Sequence, residues 1–248
     1  MISYLTAVVS FIVALVGILG HTKRENVTGL KAVTGIGWLL VVLAIVTFGV
    51  SVYSDRKAAW DRDRQVYWAL REVEFSTYSL LEPYLLITDP PEATDRFKLA
   101  KSLLESKVFE GFCDINPYEP AYSTGFSWAT LLSERTGAAT SRLGETMARY
   151  QAVLSADVLE LAARLRNDPW VDQVIFLKTR EFRWNQRGIP NPKTTLCGPG
   201  EARRRNLKRI ESFGAIIAEM ETLLDRELSP LRKRLEVQDE ARFPTILF

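Results

Sequence analysis

Basic side chains concentrate between residues 178 and 209, and some of them lie beside aromatic residues. Ten Lys and Arg residues fall in this stretch against Glu181 and Glu201, so its net charge is +8. Cationic groups neutralise phosphate and aromatic rings stack on bases, which is typical of nucleic-acid contact. The same mixture suits the headgroup region of an anionic bilayer. We call this stretch the basic island, and its predicted contact residues are Lys178, Arg180, Arg183, Trp184, Arg187, Arg203, Arg204, Arg205, Lys208 and Arg209.

An ordinary solvated surface is the alternative interpretation of the basic island. The rest of residues 55–248 carries a net charge of −8, so the island could pair with its own domain. The cations from Arg203 to Arg209 nevertheless fall in the first turns of the predicted last helix. There they oppose the helix dipole at a cost of roughly a few tenths of a kcal/mol each. This position favours a surface for an anionic partner, which could be a protein, a nucleotide, a nucleic acid or lipid.

No residue pattern in the sequence points to catalysis, to a metal or to a cofactor. One histidine, His21, and two cysteines, Cys113 and Cys197, are too few for a zinc site built from these residue types. We also find no phosphate-binding loop, nucleophile elbow or paired catalytic carboxylates. We therefore predict a protein that is not an enzyme and that has no catalytic residues, metal or cofactor. The two cysteines would pair only in an oxidising compartment, and the topology below leads us to expect two reduced, unpaired thiols.

Two apolar runs precede the basic island and predict its anchor. Residues 2–20 and 32–54 contain no Asp, Glu, Lys, Arg or His. Each run is long enough to cross a hydrocarbon core of about 30 Å at about 1.5 Å per residue. Basic residues are more numerous after the second run than in the loop between the runs. The sequence therefore predicts a transmembrane hairpin over residues 1–54, in a multi-pass protein of the bacterial inner membrane with both termini in the cytoplasm.

Small residues recur at helical spacing on one face of each apolar run. Such faces let membrane helices pack closely, either within the hairpin or between copies of the chain. We therefore predict a possible homo-oligomer as well as contact with the lipid bilayer. The absence of ionisable groups argues against a transporter. The predicted packing residues are Ala7, Ser10, Ala14 and Gly17 in the first run and Gly37, Ala44 and Ser51 in the second.

Residues 55–237 have the apolar periodicity of packed helices, and we find no strand with convincing alternation. The predicted fold is therefore all-α, with the hairpin followed by a soluble up-and-down bundle of four to six helices. The second apolar helix should continue past Asp55. Asn167-Asp168-Pro169 predicts a helix break followed by a new start. Residues 238–248 form an apolar-ended tail that should dock on the bundle or enter a partner's groove.

Finer helix boundaries follow from glycine positions and apolar spacing. Gly137 predicts the end of a short helix that starts at residue 126. One uninterrupted apolar stripe from Leu143 to Leu165 predicts a single long helix. The last helix should run from about residue 201 to residue 237, with Pro230 inside it.

The residues Thr28 to Lys31, with Thr34, Gly35, Gly37, Trp38 and the apolar run after them, carry a family resemblance. This segment resembles the second membrane helix of small bacterial two-transmembrane-helix membrane proteins. Several of those serve as membrane effectors in phage defence, attached to a cytoplasmic sensing domain. The resemblance covers roughly residues 1–60 and implies no functional residue.

These observations leave three hypotheses for function. The first is a bacterial membrane effector for antiviral defence, whose cytoplasmic domain senses a partner or ligand and whose hairpins assemble in or perturb the inner membrane. The second is a non-enzymatic, membrane-tethered sensor or scaffold. The third is an extracytoplasmic helical bundle that binds a ligand. The sequence alone names neither the ligand nor the trigger.

Overall fold

The computed structural model describes residues 11–12, 35–88, 111–121, 125–188 and 193–237. The chain divides into two compact units, residues 1–63 and residues 64–248. The first helix below contributes residues to both units. The helices that lie wholly within the described ranges are α1 (Gly35–Ser79), α2 (Glu82–Thr88), α3 (Trp128–Tyr150), α4 (Ala156–Arg166), α5 (Pro169–Ile175), α6 (Leu177–Gln186) and α7 (Gly200–Leu235).

In the first unit, one face of the amino-terminal part of α1 is packed and the side chains on its other faces are exposed. Val41 is buried, and Ala44, Phe48 and Val52 follow it on the same face at spacings of three or four residues. The Phe48 ring stacks on Phe11, with ring centroids 4.7 Å apart. The large apolar side chains on the remaining faces are exposed: Leu39, Val42, Leu43, Ile45, Val46 and Val50.

The predicted small-residue packing positions fall only partly in the described chain. Ala44 lies on the packed face of α1, Ser51 is exposed, and Gly37 lies in the first turn of the helix. The four positions of the first predicted run, Ala7, Ser10, Ala14 and Gly17, lie outside the described residues.

Within the part of the chain that the structure describes, no helix is both long enough and apolar enough to span a bilayer. This finding contradicts the predicted localisation as a multi-pass inner-membrane protein with cytoplasmic termini. Two observations bear on this difference. The described apolar part of α1 gives way to the charged residues Asp55, Arg56 and Lys57, and the helix then continues to Ser79. The first predicted span, residues 2–20, lies outside the described residues except for residues 11–12.

The second unit has a helical core around α3. This helix packs on α2, α4, α5 and α6, and α7 packs on α4 and α5. The later turns of α1 join the same core through buried Leu70 and Val73. Tyr150 at the end of α3 donates a hydrogen bond to Glu72 of α1 over 2.9 Å. The described residues contain helices and an isolated bridge between Pro120 and Ser127, which confirms the predicted all-α class there.

Two helix boundaries differ from the predicted ones. Helix α3 continues through Gly137, because one glycine weakens an interior helix by only about 1 kcal/mol. The predicted single helix over residues 143–165 is two helices, since Ser155 caps α4 by accepting a hydrogen bond from the Val158 amide. The predicted start after Asp168 is confirmed, with the Asp168 carboxylate capping α5 and Pro169 in its first turn.

A buried polar pair lies where α2 meets α5. The indole N–H of Trp170 donates to the Tyr84 hydroxyl over 2.6 Å, and both side chains are buried. Burial raises the pKa of Tyr84 well above its usual value, so the phenol stays neutral. The Tyr84 ring also packs edge-on against Phe112, with centroids 4.9 Å apart. This pair therefore ties α2, α5 and the 111–121 segment into one core.

We expect Tyr84→Phe to lower the free energy of unfolding by about 1–3 kcal/mol, because the buried Trp170 indole N–H loses its acceptor. Urea unfolding followed by circular dichroism measures the change. The matched control is Tyr53→Phe, whose side chain is 70% exposed and should shift stability by less than about 0.5 kcal/mol. Equal stability of the two variants would contradict a structural role for the Tyr84–Trp170 hydrogen bond.

Candidate anion-binding site

Helix α7 begins at a turn formed by Gly198, Pro199 and Gly200. Gly198 and Gly200 have φ angles of +71° and +55°, a left-handed conformation that favours glycine. Early in the helix, the buried Asn206 side chain donates to the Cys197 carbonyl over 3.0 Å. The turn and this hydrogen bond fix where the basic side chains of α7 emerge from the bundle.

A buried disulfide joins this turn to a distant part of the chain. Cys113 and Cys197 are 84 residues apart in sequence, and their Cα atoms lie 4.7 Å apart. Both side chains are fully buried. The Leu196 amide also donates to the Ile115 carbonyl over 2.7 Å. The expectation of two reduced, unpaired thiols is therefore wrong, because the fold places the two cysteine-bearing segments side by side.

A stripe of polar side chains on α7 lines an open concavity of about 560 Å³. We call it the α7 groove. Its lining residues recur every three or four positions, so they share one face of the helix: Glu201, Arg204, Arg205, Lys208, Arg209 and Ser212. The opposite face carries Ile210, Phe213 and Ile217 into the core. The apolar residues thus hold the helix in place while the cations face outward.

Two cations at the margins of the groove have structural partners. Arg209 donates to the Gln173 side chain of α5 over 3.0 Å. Arg203, beside the groove, forms an ion pair with Asp114, and this hydrogen bond holds the Asp114 pKa below its usual value. Because Asp114 follows Cys113, the Arg203 pair connects the same two segments as the disulfide.

The three remaining cations of the groove, Arg204, Arg205 and Lys208, are exposed. Their side chains form no ion pair or hydrogen bond with another described residue. Arg204 and Lys208 are four residues apart, as are Arg205 and Arg209, and like charges at this spacing cost about 0.2–0.5 kcal/mol per pair. Glu201 lies three and four residues before Arg204 and Arg205 and offsets part of this repulsion, and a bound anion would relieve the rest.

The other half of the basic island lies on α6, which packs on α3 and α5. Lys178 forms an ion pair with Glu134 of α3. The Trp184 ring packs edge-on against Tyr118, with centroids 4.8 Å apart. The outward-facing cations of this half, all exposed, are Arg180, Arg183 and Arg187. The ten predicted contact residues thus fall into two groups on different helices, and those on α7 border the concavity.

The side chains that line the α7 groove offer positive charge and hydrogen-bond donors. A guanidinium group presents five N–H donors in a planar fork and an ammonium group presents three donors. Among the described residues, no cluster of three His, Cys, Asp or Glu side chains could hold a metal ion. The sequence interpretation missed Ser212 and Gln173, and it treated Glu201 only as an opposing charge. The three- and four-residue spacing of polar residues from Glu201 to Ser212 was the signal in the sequence that these side chains share one face of a helix.

Comparisons of the chain with known protein families, curated proteins and solved structures found no match.

We expect the double variant Cys113→Ala/Cys197→Ala to lose about 2–5 kcal/mol of unfolding free energy. Without the cross-link the loop between the two cysteines is open in the unfolded chain, which gains conformational entropy. Urea unfolding of oxidised protein measures this loss. The matched control is the wild-type protein reduced in the unfolded state, which should be as unstable as the double variant. A double variant as stable as the oxidised wild type would show that the cross-link contributes nothing to the fold.

Proposed function

We propose that residues 64–248 form a non-enzymatic, ligand-binding helical domain that works in an oxidising compartment and binds its ligand in the α7 groove. The observation that carries this proposal is the buried Cys113–Cys197 disulfide. Disulfides form and persist outside the reducing cytosol, in secreted, periplasmic or cell-surface proteins. Of the three hypotheses, the extracytoplasmic ligand-binding bundle is therefore the one that the geometry supports best.

The position of the disulfide links the compartment to the binding surface. Cys197 lies three residues before α7 begins, and its carbonyl accepts the hydrogen bond from Asn206. Arg203 reaches back to Asp114, the neighbour of Cys113. The cross-link thus holds the first turns of α7, which carry the exposed cations of the groove. A domain stabilised this way would keep the shape of its groove in an oxidising compartment.

Binding rather than catalysis suits the groove. Its lining offers guanidinium and ammonium groups, one hydroxyl and one carboxylate. Such a set provides charge and hydrogen-bond donors for an anionic ligand. Electrostatic attraction of this kind also raises the rate of encounter with a negatively charged partner.

The compartment is tested by trapping thiols in intact cells that express the full chain. We expect Cys113 and Cys197 to resist alkylation after acid quenching and denaturation, and to react only after a reductant is added. The variant Cys197→Ser is the matched control, because its lone Cys113 must react without reductant. Rapid alkylation of both wild-type cysteines without reductant would overturn the proposed compartment.

The predicted homo-oligomer remains a proposal for the first unit. The exposed apolar side chains on α1, among them Leu43 and Val46, form a patch of the kind that marks interaction surfaces. The predicted contact with the lipid bilayer, the effector hypothesis and the phage-defence resemblance stay predictions as well.

We expect Leu43→Lys to shift the full chain from oligomer towards monomer in analytical ultracentrifugation, because a charge would replace an apolar contact. Ser54→Lys adds the same charge at an exposed polar position of α1 that is not among the predicted packing residues, and it should leave the distribution unchanged. If wild type and both variants sediment alike, the patch does not mediate self-association.

A further inference from the structure

We propose that the ligand of the α7 groove carries two or more phosphate groups, as in an oligophosphate. This inference rests on the proposed binding function and names its ligand class. Its basis is the set of exposed cations that pair with no other described residue, Arg204, Arg205 and Lys208. The margin residue Arg209 adds a fourth positive charge that Gln173 holds in place.

The spacing of these cations fits more than one anionic group. From Arg204 to Arg209 the helix rises about 7.5 Å, at about 1.5 Å per residue. One phosphate contacts a guanidinium in a bidentate manner and covers only part of that length. A chain of linked phosphates would place successive negative groups along the stripe. Ser212 lies on the same face one turn beyond Lys208, and its hydroxyl offers a further hydrogen-bond donor there.

Lys208 differs in its chemistry from the two arginines that precede it. Its ammonium group is a compact point charge on a flexible stem, whereas Arg204 and Arg205 present planar forks of donors. The groove therefore combines two sites for bidentate phosphate contact with one adaptable charge. Its volume of about 560 Å³ lies in the range of small-molecule sites, which is about 300–1,000 Å³.

Glu201 sets the limit of the site at the amino-terminal end of the groove. Its carboxylate lies on the same face as Arg204 and Arg205, three and four residues before them. A negative charge there repels an anion and would restrict it to the stretch from Arg204 to Ser212. Removing this charge should therefore strengthen binding, which is the opposite of what a change at the cations should do.

The test uses the full chain in its oxidised form and isothermal titration calorimetry. The probes are inorganic tripolyphosphate, inorganic phosphate and the short-chain lipid dihexanoyl phosphatidylglycerol. We expect tripolyphosphate to bind at least about tenfold more tightly than phosphate, because it engages several cations at once. Tighter binding of the lipid than of tripolyphosphate would overturn the inference and identify a lipid headgroup instead.

Variants locate the binding. Arg204→Glu/Arg205→Glu should weaken tripolyphosphate binding by about tenfold or more, and Glu201→Gln should strengthen it by about two- to fivefold. The matched control is Arg56→Glu/Lys57→Glu, which changes the net charge equally at exposed positions of α1 outside the basic island and should alter affinity by less than about twofold. Circular dichroism confirms that each variant is folded. Equal losses from the two double variants would show a general charge effect and overturn the inference.

The two proposals fail in different ways. If tripolyphosphate binds at the groove but the cysteines are reduced in cells, the proposed oxidising compartment is wrong and the proposed ligand class stands. An intact disulfide in cells with no tripolyphosphate binding would overturn the ligand class and leave the compartment standing.

Discussion

The Cys113–Cys197 disulfide is the constraint on which the position of α7 depends. It joins two segments that are 84 residues apart, and the Cys197 amide also donates to the Cys113 carbonyl. Because α7 is one helix from Gly200 to Leu235, fixing its first turn fixes the direction of the whole element. Its apolar face then packs on α4 and α5. The outward direction of the basic side chains is a consequence of this packing.

Helix α5 is the second support of the same surface. Asp168 caps it, and burial raises the pKa of this carboxyl, whereas the Trp170 and Val171 amides and the charge of Arg209 lower it. The indole of Trp170 then ties α5 to α2. Gln173 of α5 receives the hydrogen bond from Arg209. Helix α5 therefore contributes both to the core and to the margin of the groove.

Apolar periodicity and capping residues predicted much of the helical fold. The start after Asp168 and the long last helix follow from local signals, which act within one or two turns. The break at Ser155 was missed because the apolar residues keep the same three- and four-residue spacing on both sides of it. The disulfide was missed for a different reason. No local pattern brings residues 113 and 197 together, and an assumed reducing compartment argued against the pair.

The basic island shows why a count of charges does not locate a site. Along the sequence its cations form one block, but the fold gives Lys178 and Arg203 carboxylate partners, Glu134 and Asp114. Exposed ion pairs of this kind contribute little to stability, but they account for the placement of these two cations. Within the described chain, Arg204, Arg205 and Lys208 have no carboxylate partner of this kind. The four-residue spacing of like charges on this helix face is unfavourable in the free protein. A bound anion would remove this repulsion, and the concavity beside these three side chains gives it room to bind.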